Sequence, residues 1–224
     1  MRHQHQQVAI KICGITNIAD ALASVAAGAD MLGFNFYERS RRFIKPESAA
    51  EIIRELRKQE RAVQCIGVFV DAETASIREI SARVRLDAVQ LHGNEAPQEC
   101  QKLHPLRVIK ALRVHTGFDP AVASNFDCDT ILLDTWNANE AGGTGETFDW
   151  SVAAEIRRRV NRLILAGGLH AGNVADAIRA VRPDAVDVCS GVEDAPGQKS
   201  SERIRAFVDA ARSATAAKHA AISS

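Results

Sequence analysis

Apolar residues recur along the chain in short runs, and the stretches between them carry the spacing of amphipathic helices. The strand-like runs fall at 8–13, 31–36, 65–70, 88–92, 108–112, 130–134, 163–166 and 185–189. Helix candidates occupy 18–27, 46–59, 74–83, 97–103, 120–124, 150–159 and 173–181, and one more at 202–214 follows the last strand. The first helix has Asn17 at its N-cap, Asp20 in its first turn and Gly28 just past its end. The segment at 120–124 is the shortest of the set. A strand followed by a helix, eight times over, calls for a parallel sheet. At about 28 residues per unit, 224 residues fit a (β/α)8 barrel of near-minimal size, a single α/β domain. Its core is expected over about 8–214, and the Ala-rich polar tail 215–224 is expected to fray.

Every second unit carries an aspartate just before its strand: Asp30, Asp87, Asp129 and Asp184, in GADMLGF, RLDAVQL, DCDTILL and RPDAVDV. Two readings stand side by side. The repeat marks a barrel of paired modules, or aspartate simply ends helices and loops.

Composition removes several function classes. Lys plus Arg and Asp plus Glu are both 28, so the formal net charge is zero. That gives no electrostatic case for nucleic acid or an anionic membrane as partner. Hydrophobic residues at 46% and charged residues at 25% fit a soluble globular protein. No apolar run reaches the roughly 18 residues that span a bilayer, and residues 1–7 lack an apolar signal-peptide core. Five cysteines without CxxC spacing argue against a disulfide framework or a Cys-based zinc site, and a reducing cytoplasm fits best. A monomer and a homodimer fit the sequence equally.

Strand parity then selects the residues that line the barrel. In the first strand Val8, Ile10 and Ile12 are bulky and apolar, so they face the helices and turn Ala9, Lys11 and Cys13 inward. The same parity turns Ala88, Gln90 and His92 inward in the fourth strand and Thr130, Leu132 and Asp134 in the sixth. In the eighth it turns Ala185, Asp187 and Cys189 inward. Several strands thus end in an ionisable side chain at the C-terminal rim, where barrels of this type build their active sites. Each residue alone has a plainer reading. Cys13 fits a small buried hydrophobe, His92 a satisfied rim histidine and Asp134 a loop cap. Lys11 and Asp187 fit a structural ion pair between strands one and eight, which barrel closure makes neighbours. Convergence on one rim favours chemistry for Cys13, Asp134 and His92.

The loops add a ligand class. The seventh strand ends in Ala166-Gly167-Gly168-Leu169 and the eighth in Cys189-Ser190-Gly191-Val192. Glycines at two adjacent strand ends let backbone N–H groups approach an anion, which favours phosphate over simple tight turns. No Walker A or GxGxxG pattern occurs, so no nucleotide cofactor is indicated. The segment 135–148 contains Gly142-Gly143-Thr144-Gly145 and is long for a βα loop, as suits a mobile cover. Arg39, Arg41 and Arg42 follow the second strand and suit a carboxylate, a phosphate or plain solvent.

Taken in order, these motifs resemble the phosphoribosylanthranilate isomerase family. The resemblance is carried by Lys11-Ile12-Cys13-Gly14-Ile15-Thr16, Gly33-Phe34-Asn35-Phe36-Tyr37 through Ser40-Arg41-Arg42, Val89-Gln90-Leu91-His92-Gly93 and Leu132-Leu133-Asp134-Thr135. It continues through Gly142-Gly143-Thr144-Gly145, Phe148-Asp149-Trp150, Gly167-Gly168-Leu169 and Asp187-Val188-Cys189-Ser190-Gly191-Val192-Glu193. The resemblance implies a cofactor-free, metal-free isomerase of tryptophan biosynthesis acting on a phosphorylated aminosugar by an Amadori rearrangement. It implies Cys13 as general base and Asp134 as general acid, with Arg42 near the anthranilate carboxylate. Gln90, His92, Gly143 and Asp187 are placed with it against the substrate. Gly145, Gly167, Gly168, Ser190 and Gly191 are placed on the phosphate. Ala166 and Cys189 stand where the family pattern often has serine.

The chemistry accounts for these residue types independently. Ring opening of an aminoaldose needs an acid at the ring oxygen, which a protonated Asp134 supplies. The resulting Schiff base acidifies the carbon-2 proton, which a Cys13 thiolate can remove. Lys11, roughly 7 Å from Cys13 by strand rise, favours that thiolate, while burial and Asp187 oppose it. The related isomerase of histidine biosynthesis resembles a two-aspartate design, against which Cys13 argues. Indole-3-glycerol-phosphate synthase would need other rim acids and lysines. A non-catalytic phosphosugar-binding barrel would keep the glycine loops but give no reason for a thiol facing an acid.

Overall fold

The computed structural model describes residues 7–60, 62–115, 117–134 and 150–220, with side chains to residue 214. Eight parallel strands close into a barrel in chain order: β1 (Ala9–Cys13), β2 (Met31–Asn35), β3 (Gln64–Phe69), β4 (Ala88–Leu91), β5 (Val108–Arg113), β6 (Thr130–Asp134), β7 (Leu163–Ala166) and β8 (Ala185–Val188). Around them lie α1 (Ile18–Ala27), α2 (Pro46–Leu56), α3 (Thr74–Val84), α4 (Pro97–Lys102), α5 (Trp150–Arg157), α6 (Val174–Val181) and α7 (Ser201–Ala220). Closure pairs β1 with β8 in the register Lys11–Asp187 and Ile12–Val188.

Two packed layers result. Met31, Ile66, Ala88, Ile109, Leu132, Ile164 and Ala185 fill the barrel, while Ile10, Ile12, Leu133, Leu165, Val186 and Val188 pack against the helices. The inside and outside positions follow the parity of the sequence, because each strand must bury both faces.

The helix ends show why the elements stop where they do. The Asn17 side chain accepts from Asp20 N, and Gly28 ends α1 at φ 108°, a left-handed conformation that glycine adopts without strain. The fifth connection is not an α-helix: Pro120–Asn125 forms a 3₁₀ segment, capped by the Asp119 side chain on Ala121 N. α2 ends at Leu56 rather than 59, and β8 ends before Cys189, whose ψ of −81° leaves the strand. α7 runs on to Ala220 instead of ending at 214. After β8 the chain makes a short 3₁₀ turn (Ser190–Val192) and an antiparallel hairpin of β9 (Glu193–Ala195) and β10 (Gln198–Lys199), which the apolar pattern does not signal.

The aspartate repeat has a structural meaning at the N-terminal end of the barrel. Asp30 accepts from Ile10 N at 2.9 Å and Asp87 from Cys65 N at 2.6 Å. Asp129 accepts from Val108 N at 2.9 Å and Asp184 from Leu163 N at 2.7 Å. Each carboxylate, set before an even strand, caps the start of the preceding odd strand. Arginines from the outer ring pair with three of them: Arg212 with Asp30, Arg57 with Asp87 and Arg157 with Asp184.

Candidate active site

The C-terminal rim is built around Cys13, the last residue of β1. Its neighbour across the sheet is Gly33 of β2. A Cβ on Gly33 would lie 2.7 Å from Cys13 Sγ and 3.2 Å from Lys11 Nζ, so the missing side chain makes the room in which thiol and ammonium meet. Lys11 is fully buried, and its Nζ lies 3.1 Å from Asp187 Oδ2. The expected pair between strands one and eight therefore forms, but its lysine is shared with Cys13. The long side chain climbs from its own layer to the thiol above. Burial would lower the Lys11 ammonium, yet the charges of Asp187 and Cys13 hold it above its ordinary value.

Cys189 stands on the other side of Cys13. The Cys13 thiol is held well below the ordinary thiol range, first by a hydrogen bond from Cys189. Burial opposes ionisation, and the charges of Lys11 and Lys199 favour it. The same contact, with burial, pushes the Cys189 thiol well up, so Cys189 keeps its proton; its Sγ also lies 4.0 Å from Glu193 Oε1. The sequence reading gave Lys11 the leading part. The pointer to Cys189 was present in it: parity turned both cysteines inward on strands that closure makes adjacent. Asp187 is pushed up to about 7, mainly by burial, with Cys13's negative charge adding to it and Lys11 opposing. Its Oδ1 is buried without a partner.

Across the mouth, β4 and β6 bring a second group together. The Gln90 amide, 1% exposed, donates from Nε2 to His92 Nδ1 at 2.8 Å. His92 Nε2 then donates to Asp134 Oδ2 at 3.1 Å. Gln90 thus fixes the tautomer of His92, and His92 fixes Asp134. Cys13 and Asp134 face each other around the barrel with β7 and β8 between their strands on the short way round.

Arg42 lies in the loop after β2, half-buried. Its Nε and Nη2 donate to Glu193 at 2.8 and 2.6 Å. Sequence reasoning missed Glu193 and Lys199 as site residues, because the hairpin that returns them to the rim leaves no periodic trace.

The two glycine loops meet. Gly167 and Gly168 have φ of 85° and 59°, and the Asn173 side chain ties the loop by donating to Gly168 O at 2.9 Å. A Cβ on Gly191 would lie 2.1 Å from Leu169 O, so only glycine lets the β8 loop touch the β7 loop. Ser190 is exposed, and Gly191 half-buried, at this junction. Gly143 and Gly145, with the whole expected cover at 135–148, lie outside the described residues. Among the described residues, no group of three or more His, Cys, Asp or Glu side chains is arranged to hold a metal ion. No described helix is long and apolar enough to cross a membrane.

Residues 10–210 match the family model described as N-(5'-phosphoribosyl)anthranilate (PRA) isomerase. An N-(5'-phosphoribosyl)anthranilate isomerase of Pelobacter propionicus is 49% identical over 205 residues, which cover 92% of this chain and 96% of that protein. The crystal structure of phosphoribosyl anthranilate isomerase from Thermotoga maritima superposes with a TM-score of 0.83 at 45% identity, covering 92% and 100% of the two chains. A structure of such an enzyme in complex with reduced 1-(o-carboxyphenylamino)-1-deoxyribulose 5-phosphate gives 0.81 at 43% identity, covering 92% and 100%.

Proposed function

The chain belongs to the phosphoribosylanthranilate isomerase family, and on that premise we propose how its residues divide the work of the rearrangement. The enzyme converts N-(5'-phosphoribosyl)anthranilate to 1-(o-carboxyphenylamino)-1-deoxyribulose 5-phosphate, a step of tryptophan biosynthesis. The substrate phosphate docks at the junction of the β7 and β8 loops, on Gly167, Gly168, Ser190 and Gly191. The anthranilate end reaches Arg42. Asp134 delivers a proton to the ring oxygen, the C1–O bond breaks, and the amine nitrogen's lone pair forms the Schiff base. His92 engages Oδ2 of Asp134, leaving Oδ1 to carry the transferred proton. The Cys13 thiolate then removes the proton from carbon 2, the electron pair moves to the nitrogen, and the enolamine ketonises to product.

The observation that carries this reading is the environment of Cys13. A thiol at its ordinary pKa is mostly protonated at neutral pH and would be a scarce base. Here a Cys189 donor and two lysine charges favour the thiolate. Such a base in a barrel mouth opposite a carboxyl group suits proton removal beside a Schiff base. Asp187 and Gln90 are buried beneath the mouth, and we assign them to holding Lys11 and His92 as well as lining the substrate's pocket. All these residues come from one chain, so a monomer or each half of a homodimer would carry a complete site. A free-thiol base is suited to the reducing cytoplasm, where we place the enzyme.

The test is the decay of phosphoribosylanthranilate fluorescence on adding purified protein. Cys13→Ala and Asp134→Asn should each lower turnover at least about a hundredfold with the circular dichroism spectrum preserved. Near-native turnover in either variant would remove that residue from the mechanism.

A further inference from the structure

The β9–β10 hairpin carries a charge cluster in which the reaction steps give Glu193 no part. Glu193 Oε1 accepts from Arg42 Nε at 2.8 Å, and its Oε2 accepts from Arg42 Nη2 at 2.6 Å. Lys199 Nζ donates to Glu193 Oε1 at 2.8 Å and to the carbonyl of Cys189 at 3.1 Å. Both the Glu193 and the Lys199 side chains are buried, while that of Arg42 is 26% exposed. We propose that Glu193, backed by Lys199, is a positioning residue that makes Arg42 a selector for substrates with a carboxylate on the aromatic amine. The proposal rests on the reading of Arg42 given above.

The geometry of the fork carries the argument. A guanidinium has two bidentate edges, one formed by Nε with Nη2 and one by Nη1 with Nη2. Glu193 takes the first. The second edge remains whole and matches another carboxylate with two parallel N–H···O bonds. Fixing one edge also removes most of the rotamer freedom the arginine would otherwise lose on binding.

The position suits the substrate. Arg42 Cδ and Cys189 Sγ lie 2.7 and 3.1 Å from the point a Gly14 Cβ would occupy, so the arginine stem crosses the turn beside the thiol pair. An ortho carboxylate on the amine's ring lies near carbon 2, from which Cys13 removes the proton.

The charges also give Lys199 a part. Glu193 alone would cancel the Arg42 charge, and the Cys13 thiolate nearby would repel an incoming anion. Lys199 adds a second cation that offsets this negative charge. Burial would push the Glu193 carboxyl up, but the bonds from Arg42 and Lys199 hold it below the usual range and keep it ionised. The hairpin is pinned to the loop that follows Cys13 and to the first turn of α1. Thr16 Oγ1 donates to Gly197 O at 2.7 Å, and Lys199 N donates to Asp20 Oδ2 at 2.9 Å. A φ of 81° at Gly197 makes the turn that returns Lys199.

The experiment compares kcat/KM for N-(5'-phosphoribosyl)anthranilate with that for N-(5'-phosphoribosyl)aniline, which lacks the carboxylate. The ratio, taken on one preparation, cancels the active fraction. Wild type should prefer the carboxylated substrate by at least about a hundredfold. Glu193→Gln should cut that preference about tenfold or more, chiefly through KM, with the aniline substrate little changed. Lys199→Met should move the ratio in the same direction, and it answers the question if Glu193→Gln does not fold. Arg42→Ala sets the floor, and adding Glu193→Gln to it should lower the ratio no further. Equal losses on both substrates, or multiplicative effects in the double variant, would overturn the positioning role. An Arg42→Ala variant that keeps the wild-type preference would overturn it together with the reading of Arg42, which separates the two failures.

Discussion

Replacing Gly33 by alanine tests the placement of the base directly. Gly33 faces Cys13 across the β1–β2 ladder, and its added methyl carbon would lie 2.7 Å from Cys13 Sγ, 3.1 Å from Cys13 Cα and 3.2 Å from Lys11 Nζ. Non-bonded heavy atoms settle at about 3.5–4.0 Å. Cys13 Cα, in a strand bonded on both sides, can give by only a few tenths of an ångström, so the thiol must retreat by about 1 Å and the lysine amine by less. A displacement of that size at the reacting centre costs roughly a hundredfold in rate. That corresponds to about 2.7 kcal/mol at about 1.36 kcal/mol per decade. Stability should change less. An extra methyl in a packed interior costs about 1–3 kcal/mol, and removing glycine's freedom from the unfolded chain returns about 0.4–1 kcal/mol. For a chain of this size that lowers Tm by at most about 10 °C, at about 2–4 °C per kcal/mol. Turnover from the fluorescence assay, Tm from calorimetry and the pH profile of Cys13 alkylation together give the test. The expected result is a folded, slow enzyme whose thiol alkylates at higher pH, because its lysine and Cys189 partners are misaligned. Near-native turnover with an unchanged alkylation profile would refute the reasoning.

Three further outcomes follow from the same contacts. Cys189→Ala removes the main donor to the Cys13 thiolate, so the Cys13 pKa should rise and the basic requirement of the pH–rate profile should move upward. Cys189→Ser should restore it, as read from thiolate ultraviolet absorbance. Gly191→Ala puts a methyl 2.1 Å from Leu169 O. It should part the two phosphate loops and raise KM at least about tenfold with a smaller change in kcat. The third concerns pH and stability. Asp187, pushed up to about 7 mainly by burial, binds its proton more tightly folded than unfolded. Its contribution is therefore full below the unfolded carboxylate pKa and lost as pH rises through about 7. Lys11→Met removes the cation that offsets this loss, so Tm should fall more steeply than in wild type between about pH 5 and pH 8.

The barrel was legible because its rules are local. Period-two alternation along short runs fixes which side chains face inward, and it correctly turned Lys11, Gln90, Leu132 and Asp187 into the interior. The pairing of Lys11 with Asp187 followed from closure alone. What stayed hidden depends on long side chains and irregular backbone. Lys11 reaches a layer above its own Cα, which strand rise cannot show. The 193–199 hairpin returns Glu193 and Lys199 to the rim through a turn at Gly197, and neither charge reads as buried in a segment so polar. The sequence places Gln90 against the substrate, and its bond to His92, which orients that ring, leaves no trace there.

The aspartates at the opposite end of the barrel have a consequence for chain connectivity. Each ties an odd strand to the even strand after it. The arginine that meets it comes from the helix closing the preceding pair: Arg57 at the end of α2 for Asp87, and Arg157 of α5 for Asp184. Arg212 of α7 repeats this for Asp30, and it also donates to Val8 O at 2.6 Å. The joint between the two ends of the chain is thus made of the same parts as the joint between α2 and β3. In a ring of like joints, the place where the polypeptide begins is arbitrary. A permuted chain that starts at residue 61 and ends at residue 60, with the old ends joined by a flexible linker, keeps every aspartate with its strand pair and should close the same ring. Cutting between α1 and β2 instead would separate Asp30 from Ile10 along the chain and should assemble less readily.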